Sequence, residues 1–100
     1  MNEEGIKHDD NKPDAGLLFE GFPDALLEVA KVATFGAEKY SRHNWKQVEN
    51  GLDRYRAAKA RHMLEGHRQQ IDDDSGLLHA AHEAWNALAV LQLMLDDWDH

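Results

Sequence analysis

An all-α fold is expected, a small bundle of three main helices plus a short one, and three features of the 100-residue chain predict it. No stretch alternates apolar and polar residues at the period of a strand. Three long stretches place apolar residues at the helical period instead. The last of these, residues 75–95, is the most apolar part of the chain. In it, Leu77, Ala81, Ala84, Leu88, Leu91 and Leu95 share one arc, while Leu78, Trp85, Ala89 and Leu93 fill others. A helix apolar nearly all round is expected to be buried. Three helices of such length make a thin core, so a homo-oligomer is expected to complete the bundle.

Residues 1–15 carry Glu, Asp, Asn, Lys and Gly with almost no apolar side chains, which predicts a flexible N-terminal arm. Residues 16–100 then form a single domain, with Leu17, Leu18 and Phe19 anchoring the end of the arm. Pro23 suits the first turn of a helix, and Asp24 and Glu28 suit its N-terminal dipole. Leu26, Val29, Ala30, Ala33 and Ala37 supply its period, and Gly36 is a place to end or kink it. Residues 37–45 have no clean period and read as a loop or a short helical turn. A second long helix is expected over residues 53–70, with Leu52, Tyr55, Ala58, His62 and Glu65 along one stripe. Residues 71–76 form an acidic turn. Ser75 or Asp74 is the expected N-cap of the last helix. Residues 96–100 should fray.

Composition excludes several classes of function. There is no cysteine, so disulfides and thiolate metal sites are ruled out. The longest apolar run, residues 87–91, is far too short to span a membrane, and the first residues have neither the basic region nor the apolar run of a signal peptide. A cytoplasmic location with no membrane partner is therefore expected. A formal charge of −8 disfavours nucleic acid polymers as partners. Small phosphorylated ligands remain compatible, because a local basic groove or a bound divalent cation offsets the global sign.

The residues that carry chemistry are concentrated in three places. Within the last helix, His79, His82, Glu83 and Asn86 stand at i, i+3, i+4 and i+7 and share one stripe. Buried polar groups are costly unless paired, so this stripe calls for a metal, a ligand or partner side chains. On the preceding helix Arg54, Arg61 and Arg68 repeat every seven residues. They form either a solvated basic face or a row that meets phosphate oxygens. In the loop, Lys39 offers a charge, Asn44 an amide and Trp45 a flat face. The alternative there is that Tyr40 and Trp45 cap the core and Lys39 is solvated. Asp72, Asp73 and Asp74 suit an oxygen-loving cation or simply the dipole of the next helix. No nucleophile elbow, P-loop or dinucleotide fingerprint occurs. Metal-assisted hydrolysis of a phosphoanhydride fits the residue types. Asp72, Asp74, His79, His82 and Glu83 can hold cation and water, and Arg61 and Lys39 can neutralise phosphates.

A resemblance adds to this. Asn11-Lys12-Pro13, Gly36-Ala37-Glu38-Lys39-Tyr40, Asn44-Trp45, Arg61-His62, Asp72-Asp73-Asp74-Ser75-Gly76, His79-Ala80-Ala81-His82 and Asn86 fall in one order. That order resembles the phage and bacterial dATP/dGTP diphosphohydrolase N-terminal family. Its members look like small all-helical relatives of the MazG-type nucleotide pyrophosphohydrolases. The likeness covers about residues 11–95. It implies a divalent-metal-dependent enzyme that converts a purine deoxynucleoside triphosphate to monophosphate plus pyrophosphate. The ion would be Mg²⁺ or Mn²⁺, with Co²⁺ a further candidate. Asp72, Asp74 and Glu83 would hold the metal, and His79, His82 and Glu83 would serve catalysis. Lys39, Asn44, Trp45, Arg61, His62 and Asn86 would contact the purine nucleotide. Three departures stand out. Arg68 and Gln69 occupy the places of the family's Gly-Glu, Asp74 stands for a Glu, and Ser41 stands for a Gly. If the missing Glu is essential, the chain binds nucleotide without hydrolysing it. A nucleotide-sequestering protein and a structural helical oligomer are the two rival readings.

Overall fold

The computed structural model describes residues 11–98. Most of the expected arm, residues 1–10, lies outside the described residues, as do residues 99 and 100. Four α-helices follow one another: α1 (Ala15–Gly21), α2 (Pro23–Tyr40), α3 (Gly51–Arg68) and α4 (His79–Asp96). A single 3-10 turn (Asn44–Gln47) separates α2 from α3. The fold is all-α, with three main helices of 18 residues each and a short one.

Local chemistry sets these boundaries. Asp14 caps α1 by accepting the Gly16 N–H at 2.9 Å. Pro23 opens α2, where the missing N–H costs nothing. Gly36 does not end α2, which runs on to Tyr40. The stretch expected to be loop from residue 37 is therefore helical in its first half. The chain then leaves α2 through Ser41, His43 and Asn50, all at positive φ.

The largest correction concerns α4, which begins at His79 and not at Ser75. Its N-cap is Leu78, and no side chain caps it. Residues 71–78 instead close a tight turn by backbone pairing. Asp72 N–H donates to Leu77 O at 2.8 Å, and His79 N–H donates to Gln70 O at 2.8 Å. Ile71 and Leu78 form an isolated antiparallel bridge. Gly76 sits in this turn at φ 74°, a conformation that glycine adopts without steric cost. These bonds satisfy groups that a longer helix would otherwise have used.

α4 packs against α3 along most of its length and against α2 over a shorter stretch. The seam on α3 is the stripe read from the sequence: Leu52, Tyr55, Ala58, His62 and Glu65 are all half-buried. Gly66 faces the head of α4, where a Cβ would meet His79 Cβ at 3.4 Å, an ordinary contact distance. On α2 the inward face carries Val32, Phe35 and Gly36 rather than Ala30 and Ala33, which are exposed.

The burial of α4 inverts the simplest reading of its composition. Its best-buried positions include the polar stripe, with His79 and His82 7% exposed and Asn86 4%. The apolar residues Leu88 and Leu91 are each 52% exposed. Only Val32, Ala81 and Ala89 are buried apolar residues among those described. Leu17, Leu18 and Phe19 are exposed in the single chain, so they do not anchor its start. No described helix is long and apolar enough to cross a membrane.

Candidate nucleotide and metal site

The turn at residues 71–78 carries Asp72 and Ser75 to the head of α4, where they meet His62 from α3. The result is one connected cluster. His62 Nδ1 lies 2.9 Å from His79 Nδ1. At that distance one ring holds a proton on Nδ1 and the other presents a lone pair, unless a cation replaces the proton. The His62 ring also stacks on His82, with centroids 4.4 Å apart and planes 9° from parallel. His82 Nε2 lies 2.6 Å from Ser75 Oγ and 3.7 Å from Asp72 Oδ2. Ser75 N–H donates to that same Asp72 oxygen at 2.9 Å, and Ser75 Oγ accepts the Leu77 N–H at 3.1 Å. Phe35 from α2 meets the His82 ring edge-on, with centroids 6.3 Å apart. Asn86 closes the lower end of the stripe, donating its amide N–H to His82 O at 2.8 Å.

Burial acts on the charges in this cluster. It is the main reason why the His62 pKa falls to about 4, helped by the nearby His82 and by the Arg61 guanidinium. Burial likewise lowers His82, although Asp72 opposes it. For Asp72, burial pushes the carboxyl up. Hydrogen bonds from Ser75 and the facing imidazoles outweigh it, and the carboxyl ends below its usual value. A neutral His62 beside an ionised Asp72 is the pair of protonation states that a metal requires of such ligands. His62, Asp72 and His79 each offer one donor atom, all within 4.8 Å of one another, so this trio can hold a cation.

Next to the trio runs a cleft of about 440 Å³. Arg61, Glu65 and Arg68 line it from α3, Gln69 from its end, and Asp72, Asp73 and Asp74 from the turn. Gln69 donates its amide to Asp73 Oδ1 and to Ile71 O, both at 2.7 Å. The amide that replaces the family's carboxylate thus braces the acidic turn and brings no negative charge. Arg61 and Arg68 reach the cleft, whereas Arg54 does not line it.

The structure gathers some of the expected site residues and leaves others apart. His62, Asp72, His79 and His82 form the cluster. The expected ligand Asp74 lies on the cleft but pairs with Lys39 Nζ at 3.2 Å. That pair raises the Lys39 pKa, the hydrogen bond to Asp74 being the main cause. Glu83 is half-buried one turn beyond His79, and it is not part of the ligand trio among the described residues. Asn44 and Trp45 do not line the cleft. Trp45 packs edge-on against Tyr55 and Trp85, with centroids 6.0 and 5.5 Å away, and its carbonyl accepts the Tyr55 hydroxyl at 2.6 Å. This is the core-capping alternative for Trp45. Tyr40, its expected companion, is exposed. Of two contributions, the Ser75 hydroxyl is missed by the sequence reading, which takes it for a helix cap, whereas Gln69 is named there as a departure from the family pattern. The Ser-Gly step in the family pattern was the signal for the first.

Comparison with known proteins places the chain in a family. The family model described as dATP/dGTP diphosphohydrolase, N-terminal, matches residues 2–99. A dATP/dGTP diphosphohydrolase of Salmonella phage PMBT28 is 36% identical over 91 residues, covering 90% of this chain. The chain spans only 30% of that relative's length. No solved structure matches it. The chain therefore belongs to the dATP/dGTP diphosphohydrolase, N-terminal, family.

Proposed function

We propose that the protein is a divalent-metal-dependent pyrophosphohydrolase of purine deoxynucleoside triphosphates. The observation that carries this reading is the lining of the cleft, to which Arg61 and Arg68 contribute together with the His62, Asp72 and His79 trio. Phosphate recognition and cation binding thus share one wall. The family and the phage relative supply the substrate class, dATP and dGTP. In this reading a water oxygen attacks the α-phosphorus, the bond to the α–β bridging oxygen breaks, and pyrophosphate leaves. The water proton passes to a base on the protein. Glu83 is half-buried, lies one turn from His79 and forms no hydrogen bond or ion pair among the described residues, so it suits that role. Arg61 and Arg68 bind phosphate oxygens with their forked N–H groups. His82 and Ser75 hold Asp72 and the His62 ring in place. A bound divalent ion would neutralise phosphate charge and lower the pKa of water. The family resemblance implies Mg²⁺ or Mn²⁺, with Co²⁺ a further candidate. The work would be done in the cytoplasm, by a homo-oligomer.

A second reading is favoured by one observation: Arg68 and Gln69 stand where the family has Gly-Glu. With one carboxylate fewer and one cation more, the site suits capture of the nucleotide without cleavage. The test is to incubate the protein with each deoxynucleoside triphosphate and Mg²⁺, Mn²⁺ or Co²⁺ and identify products by chromatography. Monophosphate plus pyrophosphate supports hydrolysis. Intact nucleotide that stays bound supports capture.

A further inference from the structure

The 2.9 Å separation of the His62 and His79 Nδ1 atoms bears on which ion fits the site, and in what geometry. Two nitrogens bonded to one ion at about 2.05 Å are about 2.9 Å apart when the bonds meet at a right angle, and about 3.3 Å apart at the tetrahedral angle. The observed spacing suits neighbouring ligands in an octahedron, and without an ion the same spacing is that of an N–H···N hydrogen bond. The third donor, the Asp72 carboxylate, lies within 4.8 Å of both nitrogens, and the three donors draw closer to share one ion. Its Oδ2 is held by Ser75 N–H. Imidazole ligands suit first-row transition ions, whereas Mg²⁺ prefers oxygen and keeps its waters. His82 is excluded as a ligand at Nε2, because Ser75 Oγ occupies that nitrogen.

We propose that His62 Nδ1, His79 Nδ1 and the Asp72 carboxylate form three adjacent corners of an octahedral site for Mn²⁺, Fe²⁺ or Co²⁺, with Mg²⁺ a poor fit. Three corners stay open on the cleft side for water and phosphate oxygens. The proposal deepens the hydrolase reading and rests on it for the purpose of the ion, but the ion's binding is tested separately. Affinity rises along the first-row series whatever the site, so geometry is the better readout than preference for Zn²⁺.

The experiment loads the purified chain with Co²⁺, without nucleotide, and records its visible spectrum. Equilibrium dialysis against Mn²⁺ and Mg²⁺ is run in parallel. One Co²⁺ per chain with the weak visible bands of six-coordination is expected, together with Mn²⁺ affinity at least tenfold above Mg²⁺. Asp72→Asn, which preserves shape, should weaken Mn²⁺ binding at least tenfold while leaving helical circular dichroism unchanged. Intense tetrahedral Co²⁺ bands, equal affinity for Mg²⁺ and Mn²⁺, or unchanged binding in Asp72→Asn would each overturn the proposal. Octahedral Co²⁺ without nucleotide cleavage sinks the hydrolase and leaves the site standing. Cleavage with Mg²⁺ alone, with no transition ion bound, does the reverse.

Discussion

Ser75 Oγ lies 2.6 Å from His82 Nε2, and the hydroxyl thereby ties the acidic turn to the buried face of α4. The same oxygen accepts the Leu77 N–H. Ser75→Ala removes both partners and leaves a nearly buried imidazole nitrogen without its bond. Such a loss costs about 1–3 kcal/mol. The melting midpoint should fall by about 5–15 °C at fixed chain concentration. Ser75→Thr, which keeps the hydroxyl, should restore most of it. An alanine variant that melts with wild type would show that the turn does not depend on this bond.

Ser41 has φ 124° and ψ 165°, a region that is essentially reserved for glycine. The family pattern has glycine at this place. Relief of the strain, at about 1–3 kcal/mol, outweighs the extra chain entropy of glycine, at about 0.4–1 kcal/mol. Ser41→Gly should therefore stabilise the fold by about 1 kcal/mol, read as a higher urea midpoint with an unchanged slope. A lower midpoint would contradict the backbone conformation described here.

Acid should weaken the fold in two stages. The His62 pKa falls from 6.5 to about 4, so the unfolded chain takes up a proton there before the folded chain does. This contribution is complete above pH 6.5 and is lost as pH falls towards 4. It amounts to about 1–2 kcal/mol once solvent screening of a half-buried ring is allowed for. The lowered His82 acts in the same sense. Asp72, lowered from 3.8, contributes above that value and loses its part as pH falls through its folded pKa. Urea melts at pH 7.5 and 5 should show the first loss, and His62→Gln should shrink the difference. A flat profile between these pH values would contradict the burial of the imidazoles.

The apolar stripe of Leu88, Leu91 and Leu95 on α4 is unpartnered in the single chain. Exposed apolar surface of this kind marks interfaces, and the sparse core leaves stability to be found elsewhere. Light scattering at micromolar concentration should give a mass above 11.4 kDa. Leu91→Glu should move the mass towards that of one chain. A monomer in the wild type would end the homo-oligomer expectation.

Much of the fold could be read from the period of apolar residues. The stripe from Leu52 to Glu65 on α3 is the seam that meets α4, because ridge packing follows that same period. The start of α4 was misread because Ser75-Gly76 followed by leucines looks like a helix cap. Backbone pairing across residues 71–78, which leaves no mark in side-chain period, delays the helix to His79. The polar stripe of His79, His82 and Asn86 was legible as buried, but its partner was not. His62 is 17 residues from His79 in sequence, and only the tight turn makes them neighbours. Trp45 can be read as a ligand face or as a core cap, and in the structure it packs edge-on against the rings of Tyr55 and Trp85.

The central claim is that a purine nucleotide lies along the Arg61 wall, beside the two histidines. Calorimetric titration with the α,β-methylene analogues of dATP and dGTP, whose carbon bridge resists cleavage, tests it in the presence of Mn²⁺. Wild type should bind at least one analogue. Arg61→Ala should lose about 1.5–3 kcal/mol of that affinity, the scale of a charge-assisted hydrogen bond, and Arg68→Ala should lose less. Full affinity in Arg61→Ala would contradict the account and move the nucleotide away from the α3 cleft.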